Sequence, residues 1–249
     1  MDLEFFYNQM TRILWPMSIS GKLTILVAIG LSMRMPFRFR EQIISALFAL
    51  QFLIIAYATF FLSSSARVID KDEANNLYVV IVAAATLMSA IAMAISAWQP
   101  EGRWNLKADN ELFRWVGWAF MLLGFFYPFF SRSIIVGFFF SPVSVIPHPT
   151  ILIMSGMLIA GFPNVARLPI AAAIMSSIMI GGLDMYAGLN TYFPLFASAI
   201  ILSGLLIHSS IKSGGILEDD TPDVDMKIRE KKKAIFSQKT KEKKTWKLK

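Results

Sequence analysis

Long apolar runs, separated by short polar stretches, dominate the chain from residue 17 to residue 211. The two cleanest runs cover residues 43–62 and 77–98. Each has about the 20 residues that an α-helix needs to cross the hydrocarbon core of a bilayer. Further apolar runs cover residues 17–37, 113–130, 150–162, 168–183 and 192–209. The pattern predicts an all-α, polytopic transmembrane helical bundle of seven spans, or of six if residues 17–37 do not cross.

Composition supports lipid as the solvent of this bundle. Hydrophobic residues make up 55% of the 249 positions and charged residues only 16%, whereas a soluble domain carries about a quarter charged residues. The chain has no cysteine, which excludes disulfides, thiolate ligands and a catalytic thiol. Its first residues lack the basic region of a secretory signal, so we expect the first span to serve as an uncleaved signal. Residues 1–16 are rich in aromatic residues and predict an interfacial helix.

The distribution of lysine and arginine predicts the orientation. With seven spans, one side of the membrane receives nineteen basic residues and the other receives five. Cytoplasmic loops carry the excess of Lys and Arg. We therefore expect the N-terminus outside, the C-terminus in the cytoplasm, and a multi-pass protein of the cell inner membrane.

Residues 212–249 form a charged tail after the bundle of residues 17–211. Five acids and no base fall in residues 213–226, and eleven bases against two acids fall in residues 227–249. Basic residues close to a membrane attract anionic lipid. We expect the tail to contact lipid, and we expect no nucleic-acid partner beside a membrane. The residues assigned to this contact, or to a partner protein, are Lys231, Lys232, Lys233, Lys243, Lys244 and Trp246.

Four polar residues in or near the apolar runs are candidates for a transport site: His148, Asp184, Arg132 and Lys22. Ionisable residues within a membrane segment are costly and mark functional sites by default. For each residue a structural interpretation competes. His148 can be a turn residue between two prolines, ahead of a helix that Thr150 caps, and Asp184 can lie at the outer boundary, where water reaches it. Lys22 can extend to the interface, and Arg132 can be the partner of Asp184.

Other chemistry has little support in the sequence. The only two histidines, His148 and His208, are predicted on opposite sides of the membrane, and a catalytic zinc or copper site usually needs three protein ligands. We therefore predict no metal site, with His148 as the one weak candidate ligand, and no cofactor. Phosphate-binding glycine loops, nucleophile elbows and paired carboxylates are absent from the sequence, so we do not expect an enzyme.

Several short motifs resemble an uncharacterised family of prokaryotic integral membrane proteins, domain-of-unknown-function family 6064. They are Phe6-Tyr7-Asn8 with Trp15-Pro16, Tyr57 through Phe61, and Tyr127-Pro128 leading to Pro147-His148-Pro149-Thr150-Ile151 and Gly156. The family typically has Pro-Cys-Pro-Thr where this chain has His148 in place of the cysteine, so a thiol role would be lost although imidazole could still bind a metal. The resemblance covers about residues 5–211 and implies a multi-span bundle with no assigned activity.

Three functions remain open from the sequence. The first is a non-catalytic subunit or scaffold of a larger membrane complex, which the scarcity of intramembrane charge, the lack of an internal repeat and the long tail favour. The second is a transporter of a small solute or ion that uses a polar outer-side site at His148, Asp184 and Arg132. An odd number of spans argues against a simple inverted repeat of the transporter kind. The third is a membrane protein that binds a metal or cofactor.

Overall fold

The computed structural model describes residues 14–33, 39–62, 73–98, 104, 106, 111–127, 141–163, 167–188 and 192–219. Within them lie seven α-helices and no β-strand, which confirms the predicted all-α class. The helices are α1 (Trp15–Met33), α2 (Arg40–Tyr57), α3 (Glu73–Trp98), α4 (Glu111–Phe126), α5 (Pro147–Gly161), α6 (Arg167–Tyr186) and α7 (Tyr192–Asp219), and a π-helical turn, Ala58–Leu62, extends α2. The chain divides into the units Met1–Leu206 and Ile207–Lys249, and the packing around α5 belongs to the first.

Five of the helices are long and apolar enough to cross a membrane: Trp15–Met33, Arg40–Phe60, Tyr78–Trp98, Arg167–Tyr186 and Tyr192–Ser210. Their outward faces carry large apolar side chains that are half or more exposed, among them Leu23, Val27, Leu50, Leu53, Ile91 and Ile200. An apolar surface of this extent is unusual for a soluble protein. It suits contact with lipid tails.

The other two helices in the described ranges are not among these five, because both are shorter. Helix α4 has 16 residues and α5 has 15, so each is about 22–24 Å long at 1.5 Å per residue. Neither reaches across the ~30 Å hydrocarbon core by itself. The structure contains five helices of spanning length in the described ranges. The count of seven spans and the orientation of the termini stay predictions.

Helix α5 is the centre of the bundle. All fifteen of its residues are buried, and it packs against α2, α4 and α6. A helix that is apolar on every face is stable only when protein or lipid surrounds it. Here the surrounding material is protein, because α5 has no exposed face. Its first turn carries His148, one of the candidate site residues.

One face of α5 packs against α4 through small residues. A Cβ atom placed on Gly156 would lie 2.5 Å from the carbonyl oxygen of Gly117, and one placed on Gly117 would lie 2.4 Å from that of Gly156. A Cβ atom placed on Gly124 would lie 2.7 Å from the carbonyl oxygen of Pro149. Ala160 lies one helical turn after Gly156 and would meet a Cβ atom on Gly117. Small residues four apart let helix backbones approach closely in membranes. We call this contact, formed by Gly117, Gly124, Gly156 and Ala160, the α4–α5 seam.

Candidate functional site

His148 and Asp184 form a buried pair between α5 and α6. His148 lies in the first turn of α5, and Asp184 lies in the last turn of α6. The Nε2 atom of His148 is 2.5 Å from the Oδ2 atom of Asp184, and both side chains are completely buried. The structure thus brings together two of the residues that the sequence singled out, 36 positions apart along the chain.

The structural interpretations of these two residues are both corrected. His148 is not a turn residue, because α5 already begins at Pro147. Asp184 does not lie where water reaches it, because α6 continues to Tyr186 and the aspartate has no exposed surface. Its expected partner Arg132 falls outside the residues that the structure describes, so that pairing stays a prediction.

Two tyrosines complete the surroundings of the pair. The hydroxyl group of Tyr78, near the start of the apolar part of α3, donates a hydrogen bond of 3.1 Å to the Oδ1 atom of Asp184. The ring of Tyr127, directly after α4, stacks on the ring of His148 at a centroid distance of 5.5 Å and an angle of 5°. Each carboxylate oxygen of Asp184 therefore has a hydrogen-bonding neighbour, and one face of the imidazole is covered. Both tyrosines are buried.

The sequence could not have identified Tyr78 as part of this site. Nothing in the pattern of α3 distinguishes it from the aromatic residues that gather at membrane boundaries. Tyr127 did appear in the family resemblance, but without a role. The first contact depends on how α3 packs against α6 and the second on how the end of α4 packs against α5, and such packing leaves no periodic signal in the sequence.

Two prolines and a buried, non-helical segment set the position of His148. Pro147 and Pro149 fall in the first turn of α5, where the amide hydrogens have no intrahelical partner. The N-cap residue is Ile146, and no side chain caps it. The expected cap, Thr150, acts in another way: its Oγ1 atom accepts a 3.0 Å hydrogen bond from the backbone N–H of Ser144. Thr150 therefore holds the preceding segment against α5.

Residues 141–146 form this non-helical segment, and every one of them is buried. The hydroxyl group of Ser18 on α1 donates to the carbonyl oxygen of Ser141 at 2.7 Å, and the hydroxyl group of Ser141 donates to the carbonyl oxygen of Gly124 at 3.3 Å. Irregular backbone at membrane depth occurs only where protein or a water-filled cavity surrounds it. Hydrogen bonds from α1 and to α4 fix the segment, and with it the start of α5.

The charge of the pair depends on the number of protons that it holds. An ionised aspartate only accepts hydrogen bonds, so Nε2 of His148 is then the donor, whereas a protonated aspartate can donate to Nε2. A neutral imidazole beside an ionised carboxylate gives the pair one negative charge. One additional proton, on either group, gives the pair no net charge. Loss or gain of a single proton thus changes the charge of a site that contains no solvent-exposed atom.

Lys22, the fourth candidate, lies on a different helix and is also buried. It belongs to the inward face of α1, together with Gly21 and Ile25, and only 3% of it is exposed. The expected extension of its side chain to the interface is therefore wrong, because the structure places the residue inside the protein. Burying an ammonium group costs about as much free energy as burying a carboxylate. Lys22 therefore remains a candidate functional residue.

The sequence analysis also considered a metal site, His208 and the charged tail. Within the described ranges there is no group of three or more His, Cys, Asp or Glu residues that could hold a metal ion. His208 is exposed on α7. The tail residues Lys231, Lys232, Lys233, Lys243, Lys244 and Trp246 lie outside the described residues, and their contact with anionic lipid stays a prediction.

No protein-family model, curated protein or solved structure matches the chain. The resemblance to family 6064 therefore remains a prediction, and a function for this protein has to be inferred from the geometry of the site.

Proposed function

We propose that the protein is a membrane transporter that couples the passage of a small solute or ion to a proton held by His148 and Asp184. The observation that carries this proposal is the completely buried pair, joined at 2.5 Å and completed by Tyr78. Histidine and acidic residues inside membrane proteins form proton relays in pumps and transporters. A pair that alternates between no charge and one negative charge is suited to drive such a cycle.

Stability alone is a weak reason for this arrangement. Burying two ionisable groups costs more free energy than their attraction returns unless the geometry is excellent, and apolar residues of similar volume often stabilise a protein as well or better. A scaffold built only for packing has no need of a titratable pair at its centre. The pair is therefore better explained by a function that uses its proton.

The start of α5 supports the same function. Transporter sites typically lie where a helix begins or breaks inside the membrane, next to non-helical backbone. Here α5 is shorter than the hydrocarbon core, follows the buried segment 141–146, and presents His148 in its first turn. The partial positive charge at a helix N-terminus also favours a nearby carboxylate, and Asp184 lies beside that terminus.

Transport by the reconstituted protein tests the proposal. Wild-type protein in liposomes would be challenged with a panel of small carboxylates, amines, sugars and inorganic ions, and charge movement and internal pH would be recorded. We expect at least one solute to evoke proton-coupled flux, and His148→Gln and Asp184→Asn to abolish it. His208→Gln is the matched control, because it removes the other histidine, which is exposed. Unchanged flux in both site variants would refute the role of the pair.

A membrane-complex subunit is the second candidate function, and α7 favours it. Only 28% of its apolar window is buried, the lowest share among the five helices of spanning length, and Phe193 and Ile200 are largely exposed. A helix from another subunit could cover this face as well as lipid does. Purification in a mild detergent, followed by mass spectrometry of the intact assembly, would show a stoichiometric partner if the protein is a subunit. A lone protein would count against this function.

A further inference from the structure

A second polar site lies between α1, α2 and the segment 141–146. It is formed by Gln51 on α2 and Ser144, next to Gly21 on α1. Gln51 is 2% exposed and Ser144 is 1% exposed. The Oε1 atom of Gln51 and the Oγ atom of Ser144 are both buried and have no hydrogen-bond partner in the part of the chain that the structure describes. Buried polar atoms are nearly always paired with protein or with ordered water.

The two oxygen atoms converge on the same place. A Cβ atom on Gly21 would lie 2.1 Å from Oγ of Ser144 and 3.2 Å from Oε1 of Gln51. Gly21 is therefore required here: any side chain would occupy the position that the serine hydroxyl takes. Both oxygens therefore lie close to Gly21, and they do not form a hydrogen bond to each other.

The position of Ser144 is fixed by its backbone. Its φ angle is +65°, in the left-handed region that non-glycine residues seldom adopt, and its N–H group is bound by Thr150 at 3.0 Å. Strained backbone of this kind persists only where the surroundings determine it, and it gathers at binding sites. The strain is consistent with a hydroxyl group that is held in place for a ligand.

We propose that a single buried water molecule binds here and bridges Gln51 and Ser144. The amide oxygen of glutamine only accepts hydrogen bonds, whereas a serine hydroxyl both donates and accepts. Water can donate to the first and exchange a hydrogen bond with the second, and buried waters typically join two to four such groups. A cation is disfavoured, because the buried Lys22 follows Gly21 directly on the same face of α1. The site stands independently of the proposed transport function.

Two measurements test this inference. A structure in lipid nanodiscs, at a resolution that resolves ordered water, should show a density peak within hydrogen-bonding distance of both oxygens. A direct hydrogen bond between Gln51 and Ser144 with no peak would overturn the proposal.

Thermal unfolding of Gln51→Leu, Ser144→Ala and the double variant provides the second measurement. If one water molecule links the two side chains, each single change removes one of its hydrogen-bond partners. The shift in unfolding midpoint of the double variant should then be smaller than the sum of the two single shifts. Additive shifts would mean that nothing connects the two residues and would contradict the bridge. Ser20→Ala on α1 is the matched control, because that hydroxyl group is exposed and bonds only within its own helix; it should leave the midpoint unchanged.

Discussion

The two faces of α5 are held to their neighbours by different forces. Toward α4, the α4–α5 seam contains glycine and alanine, and the helix backbones approach each other closely at Gly117 and Gly156. Toward α6, the contact includes the His148–Asp184 pair, and Tyr78 of α3 adds a hydrogen bond. The seam depends on shape, since dispersion is strong only at close approach. The polar contact depends on hydrogen bonds between buried side chains. The same helix thus makes a close apolar contact on one side and a hydrogen-bonded contact on the other.

Removing one member of the polar pair should give the largest effect. Asp184→Leu leaves the imidazole of His148 and the hydroxyl group of Tyr78 buried without the carboxylate, and each buried polar group that loses its partner costs about 1–3 kcal/mol, or more if it is charged. Unfolding in increasing concentrations of denaturing detergent would measure the change. Asp184→Leu combined with His148→Phe removes both groups and should cost less than the single change. An equal or greater loss in the double variant would show that the two residues do not stabilise the fold as a pair.

A methyl group in the seam should give the next largest effect. In Gly156→Ala the new Cβ would meet the backbone of Gly117 and Met121 at 2.5 and 2.7 Å, and backbone cannot rotate away as a side chain can. Overpacking of this kind costs about 1–3 kcal/mol, measured as a fall in the unfolding midpoint in detergent.

Gly204→Ala is the control for the seam. Gly204 lies on α7 and has open space where a Cβ would be, so alanine there should stabilise the helix by about 0.5–1 kcal/mol. If Gly156→Ala behaved like Gly204→Ala, the backbones of α4 and α5 would not be in close contact.

Loss of the tyrosine hydroxyl at the polar face should have a smaller effect. Tyr78→Phe removes the hydrogen bond to Asp184 and little volume, so the free energy of unfolding should fall by about 1–2 kcal/mol. Under the proposed function it should also alter proton-coupled flux, because the carboxylate loses a donor. Tyr186→Phe is the control: Tyr186 lies on α6 close to Asp184 in sequence but is 88% exposed, and no change is expected. A loss of stability with unaltered flux would limit Tyr78 to a structural role.

The variant Asp184→Asn should have the smallest effect on stability. It tests whether the carboxyl group holds a proton, separately from its contribution to the fold. Asp184→Asn keeps the shape and can still accept a hydrogen bond from His148, so a folded, monodisperse protein should be recovered. Infrared difference spectra after a pH jump should show a buried carboxyl group that gains or loses a proton in the wild type. The signal should be missing from Asp184→Asn and present in His208→Gln. Its persistence in Asp184→Asn would assign the proton to another group.

The sequence predicted the membrane class and two of the site residues, but not the contacts between them. The membrane class and the helices of spanning length follow from runs of apolar residues, since a segment buried in lipid must be apolar along its whole length. The importance of His148 and Asp184 could also be foreseen, because ionisable residues in apolar surroundings are conspicuous. The sequence also placed them in one outer-side site with Arg132, but it could not foresee that they bond to each other or that Asp184 is completely buried.

The sequence by itself determined an all-helical protein with apolar segments, and it identified the few polar residues that such segments tolerate. Only the tertiary structure decided that α5 is central, that glycine in α4 and α5 serves close packing, and that His148 and Tyr78 both contact Asp184. The physical reason is the range of the forces. Hydropathy acts on each residue according to its own side chain, whereas hydrogen bonds and close packing require atoms from distant segments to lie within a few ångströms of one another.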